Sequence, residues 1–216
     1  MKNIIFIAPP AAGKGTMSEI LEEKYGYKHI STGDILREMA ERKDEFGKNI
    51  KELLSQGKLV PDDIVHEALK RRLSMNDLDN GFILDGFPRN VSQALEYDKI
   101  LKEINKDLGV VIYLDTPRDI LEKRITGRRI CPKCKKAYNV LTGVNAPKKE
   151  NICDKCGVEL FQRDDDNQES FNTRFESFLD KTYPLVEFYK NKNVLYSVKS
   201  VDIENTMREI EAIIND

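Results

Sequence analysis

No stretch of this chain stays apolar for the roughly 18 residues that a helical membrane span requires, so no membrane is expected as a partner. Neither sign of charge predominates. The 216 residues carry 35 Lys and Arg against 37 Asp and Glu, so no global field favours nucleic acid or a lipid surface, and any charge-based function has to be local. Histidine is scarce: His29 and His66 are the only two, neither falls in a motif, and both read as packing or surface residues. Internal repeats and low-complexity segments are absent, and the chain reads as one large domain or a core with inserted pieces, long enough to bury a core. No secretion leader is expected either. Lys2 and the apolar run Ile4 to Ala8 imitate one faintly, but the run is too short and leads straight into a lysine loop, so a cytoplasmic, unprocessed protein is expected.

What is present begins with Ile4-Ile5-Phe6-Ile7-Ala8-Pro9-Pro10-Ala11-Ala12-Gly13-Lys14-Gly15-Thr16. The apolar start reads as a strand covered on both faces, Pro9-Pro10 turns the chain, and helical spacing follows Thr16. In such a connection backbone N–H groups and the helix start point at a phosphate, a lysine neutralises it, and a hydroxyl sits near Mg²⁺. The match to G-x-x-x-x-G-K-[ST] is partial. Ala8 stands at the first glycine, and Gly15 separates Lys14 from Thr16. A strand-turn-helix connection with an exposed lysine is the competing reading.

Further along, helical spacing stops at Gly26, a short strand covers Lys28 to Ile30, and Ser31 to Asp34 offer caps to a new helix. A helix from about Glu45 to Gln56 is closed by Gly57. Residues 31–60 thus form a small helical unit, peripheral to the core and able to move. Pro61 suits the start of the next helix, whose apolar stripe is Ile64, Val65, Ala68, Leu69 and Leu73. Strands are expected at Phe82 to Asp85, Val110 to Leu114 and Val194 to Val198, with helices at Val91 to Ile104, from Pro117 towards Gly127, over 164–192 with a break at Pro184, and at Ile203 to Ile214. This alternation predicts an α/β fold with a five-stranded parallel, doubly wound sheet, whose ligands sit at the carboxyl ends of the strands, near Gly86-Phe87-Pro88-Arg89.

All four cysteines lie in one segment: Cys131-x-x-Cys134, eighteen residues, then Cys153-x-x-Cys156. Each C-x-x-C turn aims two sulfurs at one ion, and two turns complete a tetrahedral site for Zn²⁺. With four protein ligands such a site is closed to water and structural. Two disulfides, disfavoured in a reducing compartment, and four unrelated thiols are the competing readings. Residues 128–163 also carry nine Lys or Arg against three Asp or Glu, a net of +6 before any thiolate is counted. A stapled basic flap suits polyphosphate; it also suits nucleic acid, or simply a solvated surface.

Five motifs together carry a resemblance: Gly13-Lys14-Gly15-Thr16, Ser31-Thr32-Gly33-Asp34, Asp85-Gly86-Phe87-Pro88-Arg89, Gly127-Arg128-Arg129, and Gln162-Arg163-Asp164-Asp165-Asp166. Over essentially its whole length the chain resembles bacterial adenylate kinases of the long-lid, zinc-containing form. The resemblance implies a P-loop nucleoside monophosphate kinase fold and reversible phosphoryl transfer from MgATP to AMP, giving two ADP, in adenine nucleotide homeostasis. It implies a core of residues 1–30, 61–127 and 164–216, an AMP-binding unit of 31–60, and a zinc lid of 128–163 over ATP. Lys14 with Ala11, Ala12, Gly13, Gly15 and Thr16 would hold the ATP phosphates. Arg89, Arg124, Arg128, Arg163 and Arg174 would surround the migrating group, and Asp85 would orient Mg²⁺ through water. Phosphoryl transfer is carried mainly by positioning and positive charge, which fits a site without histidine. For AMP the resemblance implies Thr32, Arg37, Lys58, Leu59, Val60, Gly86, Arg89, Gln93, Arg163 and Arg174, with Gln93 reading the adenine edge. Tyr138 is expected near ATP, with packing inside the lid as the alternative. Asp165 and Asp166 are expected to pair with lid arginines in the closed state. A monomer binding ATP, AMP and ADP, and no nucleic acid, is expected.

Three departures bear on this. Ala8 and Ala11 replace glycines usual in the family, Met17 replaces glutamine, and Lys199-Ser200-Val201 replaces the usual Asp-Gly, which opens the question of the ATP adenine contact. Because a left-handed alanine costs about 1–2 kcal/mol, a negative φ is predicted at Ala11. The alternatives to this function are a kinase for another nucleoside monophosphate or a GTP donor, and an inactive nucleotide sensor or zinc-ribbon RNA binder.

Overall fold

The computed structural model describes residues 2–75, 78 and 80–216. Strand β1 (Ile4–Ile7) is buried along its whole length. Helix α1 (Lys14–Tyr25) follows and ends at Gly26, in the left-handed conformation at φ 74°. It begins three residues earlier than the apolar spacing indicates, because Lys14, Gly15 and Thr16 form its polar first turn. Strand β2 (Lys28–Ser31) leads into α2 (Thr32–Ala40), whose first turn is capped by the Ser31 hydroxyl accepting from the Asp34 N–H. Then come α3 (Glu45–Ser55), capped by Asp44, and α4 (Asp62–Leu73), with Pro61 at the cap position just outside it.

The alternation continues through β3 (Phe82–Asp85), α5 (Val91–Glu103), β4 (Val110–Asp115) and α6 (Arg118–Thr126). Two short strands, β5 (Arg128–Ile130) and β6 (Ala137–Asn139), pair antiparallel. Helix α7 (Gln168–Ser177) runs into a π-helical turn at Phe178–Thr182 and on to α8 (Pro184–Asn191). The break expected at Pro184 is thus taken up by the preceding turn, and the proline starts a helix, where its missing N–H leaves no bond unmade. Strand β7 (Leu195–Lys199), one residue later than expected, and α9 (Ile203–Asn215) complete the fold.

Among the described residues, five strands form one parallel sheet in the order β2-β3-β1-β4-β7. Side chains alternate between its faces, and each face has its own core. Ile5, Ile7, Leu84 and Val111 pack with Leu69, Tyr97 and Tyr189 from α4, α5 and α8. Ile4, Phe6, Ile83 and Ile112 pack with Leu21, Leu121, Phe171 and Ile210 from α1, α6, α7 and α9. Helices on both faces make the sheet doubly wound, and all strands deliver their carboxyl ends to one edge. A third, small cluster of Cys131, Tyr138, Cys153 and Leu160 lies under β5 and β6. No helix among the described residues is long and apolar enough to cross a membrane.

Candidate active site

At the carboxyl edge of the sheet the loops after β1, β3 and β7 enclose a cleft of about 430 Å³. Its floor is the first loop. The Ala12 N–H donates to the Pro9 carbonyl at 3.3 Å, closing a four-residue turn with Pro10 second and Ala11 third. That is the pattern of a type II turn, in which proline fixes the second residue and the third must take positive φ. Ala11 accordingly has φ +63°, which overturns the negative φ expected for it: turn closure overrides the steric cost of its Cβ. Gly13 follows at φ +99°, a conformation that its missing side chain permits. Ala11, Ala12, Gly13, Lys14, Gly15 and Thr16 all line the cleft.

Lys14 Nζ lies 3.9 Å from Asp85 at the end of β3, and His29 Nε2 lies 3.6 Å from the other Asp85 oxygen. His29 is thus a partner of a site carboxylate, not the ordinary packing residue expected. Its neighbour is set by the pairing of β2 with β3, which no local motif reveals. Burial opposes ionisation of Asp85, but Lys14, His29 and Arg89 outweigh it and hold its carboxyl down at about 2. For Lys14 the balance goes the other way: burial lowers its pKa, with Asp85 opposing and the nearby arginines adding to the fall.

Arg89, Arg124, Arg128, Arg163 and Arg174 all reach the cleft. Burial, together with the other arginines, brings Arg163 and Arg174 down to about 10, the mark of cations crowded into one space. Carboxylates hold several of them. Arg128 pairs with Asp166, Arg174 with Asp165 at 3.0 Å, and Arg163 with Asp34 at 3.1 Å. Asp165 thus meets an arginine of helix α7, and Asp166 the arginine that opens β5. Arg124 is placed differently. Its guanidinium donates to the carbonyls of Ala12, Ser200 and Val201 at 3.4, 3.1 and 2.7 Å, linking the first loop to the one after β7.

On the opposite side, Gly33, Arg37, Leu59 and Gly86 line the cleft, and Arg37 Nη2 donates to Asp34 at 2.8 Å. Thr32 is buried and donates to the Asp85 carbonyl at 3.1 Å, while Val60 belongs to the core and Lys58 closes the end of α3 through its N–H to Leu53. Gln93 is buried too. Its carbonyl oxygen accepts from the Arg89 N–H at 2.7 Å and its amide donates to Asp62, so both ends are engaged within the chain. Thr32, Lys58, Val60 and Gln93 are outside the lining of the main cleft.

The four cysteine sulfurs lie within 4.8 Å of one another. The N–H groups of Cys134 and Cys156 each donate to the first sulfur of their own C-x-x-C at 3.4 Å, the turn that aims two sulfurs at one point. Tyr138 packs here, its hydroxyl 3.5 Å from the Cys153 sulfur and accepting from the Asp154 N–H at 3.0 Å, with one edge on the cleft.

Ser200 belongs to no sequence motif. It is buried beside the first loop and its hydroxyl donates to the Ala12 carbonyl at 2.8 Å. Only its departure from the family pattern marked the position.

A family model described as adenylate kinase matches residues 6–194. The adenylate kinase of Thermotoga neapolitana is 45% identical over 216 residues, covering 99% of this chain and 97% of that protein. That of Archaeoglobus fulgidus is 46% identical over 213 residues, 98% and 97% of the two chains. That of Oceanobacillus iheyensis is 45% identical over 213 residues, 98% of each.

Proposed function

Since the chain belongs to the adenylate kinase family and transfers a phosphoryl group reversibly between MgATP and AMP to give two ADP, we propose how its own residues divide that work. Lys14 and the backbone of residues 11–16 hold the ATP phosphates. Arg89, Arg128, Arg163 and Arg174 gather around the migrating group, and Arg124 keeps the ATP side of the cleft in shape. Such fixed positive charge is worth most where charge develops in the transition state and water is excluded. Bound Mg²⁺ supplies further neutralisation of the phosphates, and Asp85, ionised beside Lys14, is the residue to orient it through water. The observation that carries this reading is the juxtaposition of Lys14 and Asp85, 3.9 Å apart, within one cleft ringed by arginines.

AMP is assigned to the side formed by Thr32, Arg37, Lys58, Leu59, Val60 and Gly86, sharing Arg89, Arg163 and Arg174 with the donor. Gln93 reads the adenine edge after its amide exchanges Asp62 for the base. Residues 31–60 act as the AMP-binding unit and 128–163 as the lid, on a core of 1–30, 61–127 and 164–216. Closure of both keeps water from taking the phosphoryl group. Tyr138 supports the lid and borders ATP.

The cysteines fit the long-lid form of the family. Four soft donors converge on one point with N–H groups supporting their sulfurs, a set suited to structural Zn²⁺ held by Cys131, Cys134, Cys153 and Cys156. We place the enzyme in the cytoplasm as a monomer, with nucleotides and not nucleic acid or membrane as partners.

A coupled assay with ATP and AMP tests the division of labour. Lys14→Ala should lower kcat by about 10²–10³-fold, the usual loss for a transition-state donor. Wild-type kcat/KM in that variant would overturn the assignment. Metal analysis under reducing purification should find one Zn²⁺ per chain, and a stoichiometry near zero would contradict the zinc lid.

A further inference from the structure

The reading above leaves unexplained how an alanine comes to occupy a left-handed position in a loop that must hold phosphates. Ala11 at φ +63° and Gly13 at φ +99° flank Ala12, so the peptides on either side of Ala12 lie between two conformations that only glycine takes freely. Relief of the Ala11 strain would rotate these peptides away from their present orientation. Something has to oppose that rotation.

Ser200 is built to do so. Its side chain is buried and its own backbone is tied down twice: its N–H donates to the Asp115 carbonyl at 2.8 Å, and its carbonyl accepts from Thr116 Oγ1 at 3.2 Å. From this fixed base the hydroxyl donates to the Ala12 carbonyl at 2.8 Å, across 188 positions of sequence. Arg124 adds a longer contact to the same oxygen at 3.4 Å. In a trans peptide the C=O and N–H point in opposite directions. A carbonyl of Ala12 held by Ser200 therefore fixes the plane of the Ala12–Gly13 peptide, and with it the direction of the N–H of Gly13, a residue that lines the cleft.

We propose that Ser200 is a positioning residue for the phosphoryl donor: by fixing the Ala12–Gly13 peptide it holds the strained loop in its phosphate-binding form. The proposal rests on the assignment of residues 11–16 to the ATP phosphates. It gives the unusual Lys199-Ser200-Val201 segment and the unusual Ala11 a common physical reason, one compensating for the other.

The test measures MgATP binding by calorimetry without AMP, and KM for each nucleotide in the full chain. Ser200→Ala should weaken MgATP binding about tenfold, the usual worth of one hydrogen bond, and leave the AMP KM within twofold. Ser200→Thr, which keeps the hydroxyl, should restore it. Adding Ala11→Gly to Ser200→Ala should recover most of the loss, because glycine needs no restraint to stay at positive φ. Should Ser200→Ala fail to fold, Ser200→Thr against Ser200→Val gives the same comparison at matched shape. Lys14→Ala is the control. If it binds MgATP as wild type does, the loop assignment itself falls. If it loses binding while folded Ser200→Ala stays within twofold, the loop assignment stands and the role of Ser200 falls. Equal losses for both nucleotides, with no recovery from Ala11→Gly, would also overturn the proposal.

Discussion

Asp85 stays ionised in a buried position only because cations surround it, and that balance has a pH signature. Its carboxyl is held at about 2 against an ordinary 3.8, so it contributes about 2 kcal/mol of stability above pH 4, lost progressively as pH falls towards 2. His29 works with the opposite sign. Burial lowers its pKa, but the Asp85 carboxylate more than compensates and raises it, so its share is complete below about 6.5 and fades as pH rises through the raised value. The stability advantage of wild type over Asp85→Asn should therefore peak between about pH 4 and 6.5 and decline on both sides. Chemical denaturation of both proteins across that range checks it, and a flat difference would contradict the triad of Lys14, Asp85 and His29. Lys14, Asp85, Arg89, Arg128 and Arg163 are legible in sequence because each sits in a contiguous motif, whereas Arg124 and Arg174 lie outside the motifs and come only with the whole-length resemblance. His29 is not legible, because its partner is brought by strand pairing across more than fifty residues. Ala11 departs from its local expectation for a related reason. The steric cost of a left-handed alanine is a local rule, while the Pro9–Ala12 turn and the Ser200 bond that outweigh it are a four-residue turn signature and a contact from the far end of the chain.

At the scale of elements, the five parallel strands and their helices followed from apolar runs, caps and glycine stops, because a strand buried on both faces and a helix with one apolar stripe have distinct periods. What periodicity did not give was the π-helical turn at Phe178–Thr182, where Pro184 was expected to mark the break, or the antiparallel pair β5 and β6. Those two strands have three residues each, too short for an alternation to register. The segment that contains them has a cluster of four buried residues, two of them cysteines, far less than an independent unit needs. With the Zn²⁺ proposed above, its fold would come from the metal, as in other small zinc modules. Chelation of Zn²⁺, or Cys153→Ser, should open residues 128–163 to proteolysis while the core, with its two separate clusters, resists. Mass analysis of the first cleavage sites gives the answer. Protection of this segment in metal-free protein would show that the basic flap folds without its staple.

In the whole molecule the two units proposed to close over the nucleotides meet through charge. Asp34, on the unit assigned to AMP, is shared between Arg37 beside it and Arg163 at the end of the segment assigned to the lid, at 2.8 and 3.1 Å. The contact joins 31–60 to 128–163 without passing through the sheet, so under the proposed closure it would give one unit a direct energetic bearing on the other. A partly exposed ion pair contributes about 0–1 kcal/mol, which sets the scale of the coupling it can carry. A non-hydrolysable ATP analogue should tighten AMP binding in the wild type, and Asp34→Asn should reduce that tightening by up to about fivefold, the most such a pair can supply. Comparing AMP binding with and without the analogue cancels the direct effect of Asp34 on Arg37, since that effect enters both measurements. Because the pair is accessible to solvent, added salt should erode the wild-type coupling towards the Asp34→Asn value and leave the variant nearly unchanged. Calorimetric titration of AMP at two ionic strengths decides the matter. Equal coupling in the two proteins at low salt would mean that the units communicate only through the shared arginines and the bound phosphates.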